Sequence, residues 1–220
     1  MPAFDLEHPL LVLVLDHAGI RDDVAARVSA LVDAGVDWLQ VRDRSLEADA
    51  LFALTCDVVK GARSATRPAK VIVNRRIDVA LVAGADGAHL GFDALDVGEA
   101  RALLGDDALI GVSCHSVDEV RGAAAGQRAD YAHLAPIFEP ISKPAERPSL
   151  GLEPLRAACE ARLPVIAQGG VVDANTDDVV RAGAAGIAVT GHVLGATDPV
   201  AAVAALRRAL DGAGRASKHT

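Results

Sequence analysis

Short unbroken apolar runs alternate along this chain with segments whose apolar residues recur three and four apart, the pattern of buried parallel strands separated by amphipathic helices. Leu10 to Asp16 is the first run, and Asp22 to Ala34 follows with helical period until Gly35 stops it. The alternation continues with strand Asp37 to Arg42 and helix Leu46 to Ala62, for which Ser45 is a candidate N-cap. Next come strand Val71 to Asn74 with helix Ile77 to Ala83, Gly87 to Leu90 with helix Val97 to Leu104, and Leu109 to Ser113 with helix Val117 to Ala125 capped by Ser116. Tyr131 to Leu134 leads through a long loop to helix Leu152 to Glu160. Val165 to Ala167 leads to a helix opening near Asp173 to Asn175, and Gly186 to Val189 precedes a last helix, Pro199 to Leu210. Eight such units predict a (β/α)8 TIM barrel, one domain over 1–220 with its core at about 10–210 and a flexible polar tail at 211–220. An open doubly wound sheet fits less well, because the place of its glycine fingerprint after strand one reads Asp16-His17-Ala18-Gly19.

Composition agrees with buried strands packed by small-residue helices: 51% of the 220 residues are hydrophobic and only 3% aromatic. A formal charge of −8 without any basic run argues against nucleic acid and against an anionic membrane as partners. Three widely spaced cysteines, Cys56, Cys114 and Cys159, suit neither a disulfide framework nor a cysteine zinc site, and no export signal precedes Leu10. A cytoplasmic protein is expected, with a small-molecule ligand and with room for assembly into a homo-oligomer.

In such a barrel the residues just past each strand meet at one face, where chemistry occurs. Gly169-Gly170 after strand seven and Thr190-Gly191 after strand eight offer bare backbone amides side by side, a phosphate site. Gln40, Arg42 and Arg44 alternate at the end of strand two, so three donors can share one side, unless the arginines pair with Asp43 or Glu47. Asn74 ends strand three. His115 follows strand five and is the candidate proton carrier, since imidazole titrates near neutral pH. Its neighbour Cys114 reads as core filler. His17, His89 and His192 share the rim with His115, but without ligand spacing they read as loop or core histidines rather than a metal site, and His133 as structural. The loop from Pro136 to Ser149 is long enough to be a lid, with Ser142 and Lys143 to meet an anionic group.

Taken in order, Gln40-x-Arg42-x-Arg44, Asn74, His89-Leu90-Gly91, Gly111-Val112-Ser113-x-His115-Ser116, Pro136-Ile137-Phe138, Ser142-Lys143-Pro144, Gly169-Gly170-Val171 and Gly186-Ile187-Ala188-Val189 resemble the thiamine phosphate synthase/TenI superfamily over roughly residues 10–205. The resemblance implies a thiamine-biosynthetic barrel that holds a thiazole ethyl phosphate at its strand-seven and strand-eight loops. Synthases of the superfamily carry an Asn-Asp pair after strand three and His-x-Gly-Gln-x-Asp after strand four, whose carboxylates hold the Mg²⁺ of a pyrimidine diphosphate. Here Arg75 replaces the first Asp, Phe92 the Gln and Ala94 the second Asp, with Asp93 one residue early. That pattern is similar to the TenI branch, so the expectation is a metal-free, cofactor-free thiazole tautomerase, an isomerase in which His115 moves a proton on a carboxythiazole-ylidene ethyl phosphate. A synthase joining thiazole phosphate to hydroxymethylpyrimidine diphosphate, with Mg²⁺, is the alternative; a binding protein without catalysis is another.

Overall fold

The computed structural model describes residues 8–126, 129–139 and 147–217, with side chains up to residue 214. Eight parallel strands close into a barrel in sequence order, β1 pairing with both β2 and β8. The strands are β1 (Leu10–Leu15), β2 (Trp38–Val41), β3 (Lys70–Asn74), β4 (Gly87–Leu90), β5 (Leu109–Cys114), β6 (Tyr131–Leu134), β7 (Val165–Gln168) and β8 (Gly186–Val189). Around them run α1 (Val24–Ala34), α2 (Ala48–Ser64), α3 (Ile77–Ala83), α4 (Val97–Leu104), α5 (Val117–Ala125), α6 (Leu152–Cys159), α7 (Thr176–Arg181), α8 (Gly191–Leu194) and α9 (Pro199–Ser217). The barrel and the order of its elements are those the apolar pattern predicts.

Local signals explain most boundaries. Asp96 accepts from the Glu99 amide at 2.8 Å while Glu99 reaches back to the Asp96 amide, a reciprocal cap that starts α4. Ser116 caps α5 by accepting from Glu119 N at 3.2 Å, as expected. Ser45 does not cap α2. It bonds Asp43 instead, through both amide and hydroxyl, and the helix starts at Ala48 without a side-chain cap. The last helix does not stop at Leu210 but runs through Ser217, seven residues into the segment expected to be a flexible tail; residues 218–220 lie outside the described residues. Leu210 and Ala213 are buried, and the Arg207 guanidinium lies 2.9 Å from the Asp211 carboxylate one turn on, so packing and an i,i+4 ion pair carry the helix past Gly212. A further one-turn helix, α8, follows β8 where the sequence shows no helical period.

Alternate strand residues separate two cores. Leu11, Leu13, Leu39, Val41, Val71 and Val73 face the helices, while Leu10, Val12, Val14, Trp38, Ile72, Leu109, Tyr131, Ile166 and Ala188 fill the barrel interior. Interior glycines make room for the large members of this set: a Cβ at Gly111 would fall 2.1 Å from the Tyr131 ring.

At the bottom of the barrel an aspartate precedes each of β2, β4 and β6. Asp37, before β2, accepts from Leu11 N at 2.8 Å; Asp86, before β4, accepts from Val71 N at 2.8 Å; Asp130, before β6, accepts from Ile110 N at 2.7 Å. Each carboxylate thus satisfies an amide of the preceding strand and pins register between neighbours, and each is met by basic side chains: Arg67 and Arg207 at Asp37, Lys70 and Arg63 at Asp86, Arg101 at Asp130. This face is built for stability and leaves the opposite rim for chemistry.

Candidate functional site

Above the apolar interior lies a polar ring, formed by the inward residues at the upper ends of β2 to β7. Its members bond in pairs across adjacent strands. Gln40 Nε2 donates to Asn74 Oδ1 at 3.2 Å, His89 Nε2 lies 2.9 Å from Ser113 Oγ, and His133 Nδ1 lies 3.1 Å from Gln168 Oε1. Tyr131 supports the ring from below, its hydroxyl 3.3 Å from His89 Nδ1 and its ring edge-on to Trp38 at 5.0 Å. The His89 and His133 rings touch, with centroids 4.4 Å apart.

Two atoms of this ring are buried without a hydrogen-bond partner, Gln40 Oε1 and His133 Nε2. Both are acceptors. The carboxamide oxygen of Gln168 can only accept, so His133 Nδ1 donates to it and Nε2 keeps its lone pair. An unmet acceptor in such a place costs about 1–3 kcal/mol, which a ligand carrying N–H groups would offset.

Burial keeps both histidines neutral. His89 is held well below the usual imidazole range by burial first, then by the nearby His133 and Arg42; His133 is pushed down to about 4 by burial, partly countered by its bond to Gln168. Stability follows from the sign. An unfolded His133 takes up a proton near pH 6.5 whereas the folded one does not until about 4, so stability is full above pH 6.5 and falls as pH drops through that window. The loss from His133 alone reaches roughly 3 kcal/mol by pH 4. Urea midpoints measured from pH 7.5 down to 4.5 should decline, and His133→Gln should flatten the decline; a variant with the wild-type pH slope would assign it elsewhere.

The loops after β7 and β8 lie side by side at the ends of two paired strands. Gly169 and Gly170 have φ of +93° and +64°, which side-chain-bearing residues rarely adopt. Their missing Cβ atoms also serve packing, since a Cβ at Gly170 would fall 2.4 Å from the Glu139 carbonyl and one at Gly169 2.8 Å from Pro136 Cα. The β6 loop is fastened here: Ile137 N donates to Gln168 O at 2.9 Å and Phe138 N to Gly169 O at 3.0 Å. Among the described residues nothing accepts from the amides of Gly169, Gly170 or Gly191. Thr190 turns its carbonyl toward the Val193 and Leu194 amides and so starts α8.

On the other side of the mouth Arg42 lies near His89, while Arg44 is exposed and makes no ion pair among the described residues. Asp43, weighed as a partner for these arginines, is occupied with the amides of His17, Ser45 and Leu46. Ser142 and Lys143 lie outside the described residues. His115 stands at the rim, its Nδ1 2.6 Å from the Ala135 carbonyl and its ring stacked on the exposed Phe92 at 5.2 Å. Cys114 is buried, and burial followed by the Glu119 charge pushes its thiol up to about 12, which suits core filler and not a nucleophile.

Sequence reasoning gave Gln40 and Asn74 a place at the substrate, placed Ser113 at the mouth without a role, missed Gln168, and read His89 as a loop or core residue and His133 as structural. The signal was available in the period-two alternation: in Gly87-Ala88-His89, Gly111-Val112-Ser113 and Tyr131-Ala132-His133 the polar residue sits two places after an interior one.

The Mg²⁺ implied by the superfamily's synthases does not fit the residues present. A hard cation needs several oxygen donors in near-octahedral array. Arg75 instead places its guanidinium against the Asp93 carboxylate, Ala94 packs against the Ile77 and Leu90 cluster, and Asn74 Oδ1 is taken by Gln40. Among the described residues no group of three or more His, Cys, Asp or Glu is arranged to hold a metal.

The thiamine monophosphate synthase family, TMP-TENI, matches residues 11–193. The chain belongs to this family. It is 42% identical over 197 residues to the thiamine-phosphate synthase of Anaeromyxobacter dehalogenans, covering 89% of this chain and 86% of the relative. The synthase of Saccharopolyspora erythraea is 39% identical, with 93% and 94% covered. Among solved structures, the thiamine phosphate pyrophosphorylase of Pyrococcus furiosus superposes with a TM-score of 0.80 at 26% identity, over 93% of this chain and 96% of that one. These relatives overturn the expectation of a thiazole tautomerase. An isomerase was inferred from Arg75, Phe92 and Ala94, yet whole-chain similarity runs to family members named as synthases, which are transferases. No helix among the described residues is long and apolar enough to cross a membrane.

Proposed function

We propose that this family member joins a thiazole ethyl phosphate to hydroxymethylpyrimidine diphosphate, releasing diphosphate and forming thiamine phosphate. The ring nitrogen of the thiazole attacks the pyrimidine methylene carbon. A C–N bond forms, the C–O bond to diphosphate breaks, its electron pair leaves with the diphosphate, and the nitrogen becomes cationic. The similarity to synthases over nearly the whole chain supports this reading, and the observation that carries it inside the site is the pair of buried acceptors, Gln40 Oε1 and His133 Nε2. An aminopyrimidine brings the N–H groups such a floor lacks, and the amides of Gly169, Gly170, Thr190 and Gly191 suit the thiazole's phosphate. Ser142 and Lys143 remain assigned to an anionic group of substrate, as do Arg42 and Arg44. The chain carries three free cysteines, and a cytoplasmic site of action is part of the proposal.

His115 loses its role as proton carrier, because the reaction makes and breaks no bond to hydrogen. With Nδ1 fixed on Ala135 and its ring against Phe92, it serves as a wall of the mouth. The test is to incubate pure protein with both substrates and identify the product by mass; formation of thiamine phosphate is expected, and its absence with active substrates rejects the reading. His115→Asn should change kcat by less than about tenfold, where loss of general acid–base catalysis would cost about 10²–10⁴. A larger loss, with a pH profile that vanishes in the variant, would restore the proton-transfer role.

A further inference from the structure

Arg75 stands at the end of β3 with φ +66°, a left-handed conformation that a side-chain-bearing residue adopts at a cost. Its amide donates to the His89 carbonyl at 2.8 Å and its carbonyl accepts from Ile77 N at 3.1 Å, so the backbone is fixed from both sides. Gly91 leaves room beside the side chain: even an added Cβ there would come no nearer than 4.0 Å to Arg75 Cγ and Cδ. The guanidinium pairs with Asp93, whose side chain is 65% exposed against 33% for Arg75. An ion pair so open to water contributes little, so it holds the guanidinium in place and yields readily to a stronger anion.

We infer that Arg75 is the cationic anchor for the diphosphate of the pyrimidine substrate, a guanidinium doing the work for which a divalent metal has no ligands here. The inference rests on the transferase reading. Three observations carry it. The site has lost oxygen donors and gained a permanent cation at the same place, beside Asn74 on the rim of the polar ring. A guanidinium offers a planar fork of donors that matches two phosphate oxygens at once and stays charged at every working pH. The chain as a whole is acidic, at −8, so a cation kept at the mouth by a carboxylate that can be displaced is a local departure that favours a polyanion. As the C–O bond breaks, the charge gathering on the leaving diphosphate oxygen falls to this fork, and Asp93 returns to Arg75 when diphosphate leaves.

The test is calorimetric titration of inorganic diphosphate into the full-length protein, in EDTA and again with Mg²⁺. Wild type should bind in EDTA. Arg75→Gln should weaken that binding roughly tenfold or more, as loss of a charge-assisted bidentate contact does, while Arg75→Lys should fall between. Asp93→Asn should tighten it by removing the competitor, an effect no merely structural role would produce. Melting curves of each variant separate misfolding from lost contact, and Arg75→Gly, which accepts the left-handed backbone, serves if Arg75→Gln is unstable. Binding by wild type only when Mg²⁺ is present, equal binding by Arg75→Gln, or no binding in either buffer would overturn the inference. The coupling assay keeps the two readings apart. Thiamine phosphate formed strictly with Mg²⁺ removes the arginine anchor and leaves the transferase; diphosphate bound in EDTA by a protein that forms no product removes the transferase and leaves the anchor.

Discussion

Asp37→Ala is expected to lower unfolding free energy by about 3–5 kcal/mol, a large part of the roughly 5–15 kcal/mol that holds a typical domain folded. The Asp37 carboxylate is 9% exposed and satisfies four groups at once: Leu11 N at 2.8 Å, Arg207 at 2.9 Å, Arg67 at 3.0 Å and His8 at 3.4 Å. Removing it strands a β1 amide and leaves the Arg207 guanidinium, 11% exposed, with one buried carboxylate fewer. The cost is that of an uncompensated buried charge and not of the ion pair itself, so replacing the partner along with it should be gentler. Arg207→Met combined with Asp37→Asn, which keeps an acceptor for Leu11, should recover part of the loss. Urea denaturation followed by far-UV circular dichroism measures both. An Asp37→Ala protein within about 1 kcal/mol of wild type would mean that water replaces the carboxylate, contrary to the burial found here.

The architecture was legible because parallel strands buried on both faces leave an unmistakable mark. Each of the eight apolar runs became a strand within a residue or two of its expected end, since each strand holds at least three consecutive buried positions and no helix does so among the described residues. What stayed hidden depends on distance in sequence. The aspartates that close the barrel floor precede their strands by one residue, where Asp37 read as the start of its strand and the others as loop residues; the amides they accept from lie 15 to 26 positions away, and Arg207 lies 170 from Asp37. The same holds for the ring at the top, whose bonds link residues 24 to 35 apart. His133 was read as structural because it lies inside its strand, and the fully buried β6 brings it into the polar ring beside Gln168.

The functional reading failed for a different reason. Three substituted positions, Arg75, Phe92 and Ala94, were weighed as if absence of metal ligands decided the reaction, although a charge that one group can neutralise another can neutralise too. Phe92 stacks on His115 and Ala94 packs into a side cluster, so each is locally accounted for without implying a change of chemistry. Of the three, only Arg75 brings a cation to the end of β3.

Gly170→Ala should separate the phosphate assignment from every other part of the site. The added methyl would meet the Glu139 carbonyl at 2.4 Å and Phe138 Cβ at 2.7 Å while φ stays at +64°, so either the β6 loop withdraws or the β7 loop turns. Overpacking of this kind costs about 1–3 kcal/mol and the left-handed backbone about 1–2 more, and neither can relax without moving the Gly169 and Gly170 amides proposed to hold the phosphate. If two charge-assisted bonds from backbone N–H to phosphate are lost, each worth about 1.5–3 kcal/mol, affinity for the thiazole ethyl phosphate should fall by about 10²–10⁴. Binding of inorganic diphosphate in EDTA should remain, because Arg75 sits on the opposite wall between β3 and β4. Titrations of both anions into the folded variant, with a melting curve as control, give the answer directly. Should Gly170→Ala hold thiazole phosphate as tightly as wild type, the phosphate lies instead with Arg42 and Arg44, and the glycines of this loop exist only to let the β6 loop pack.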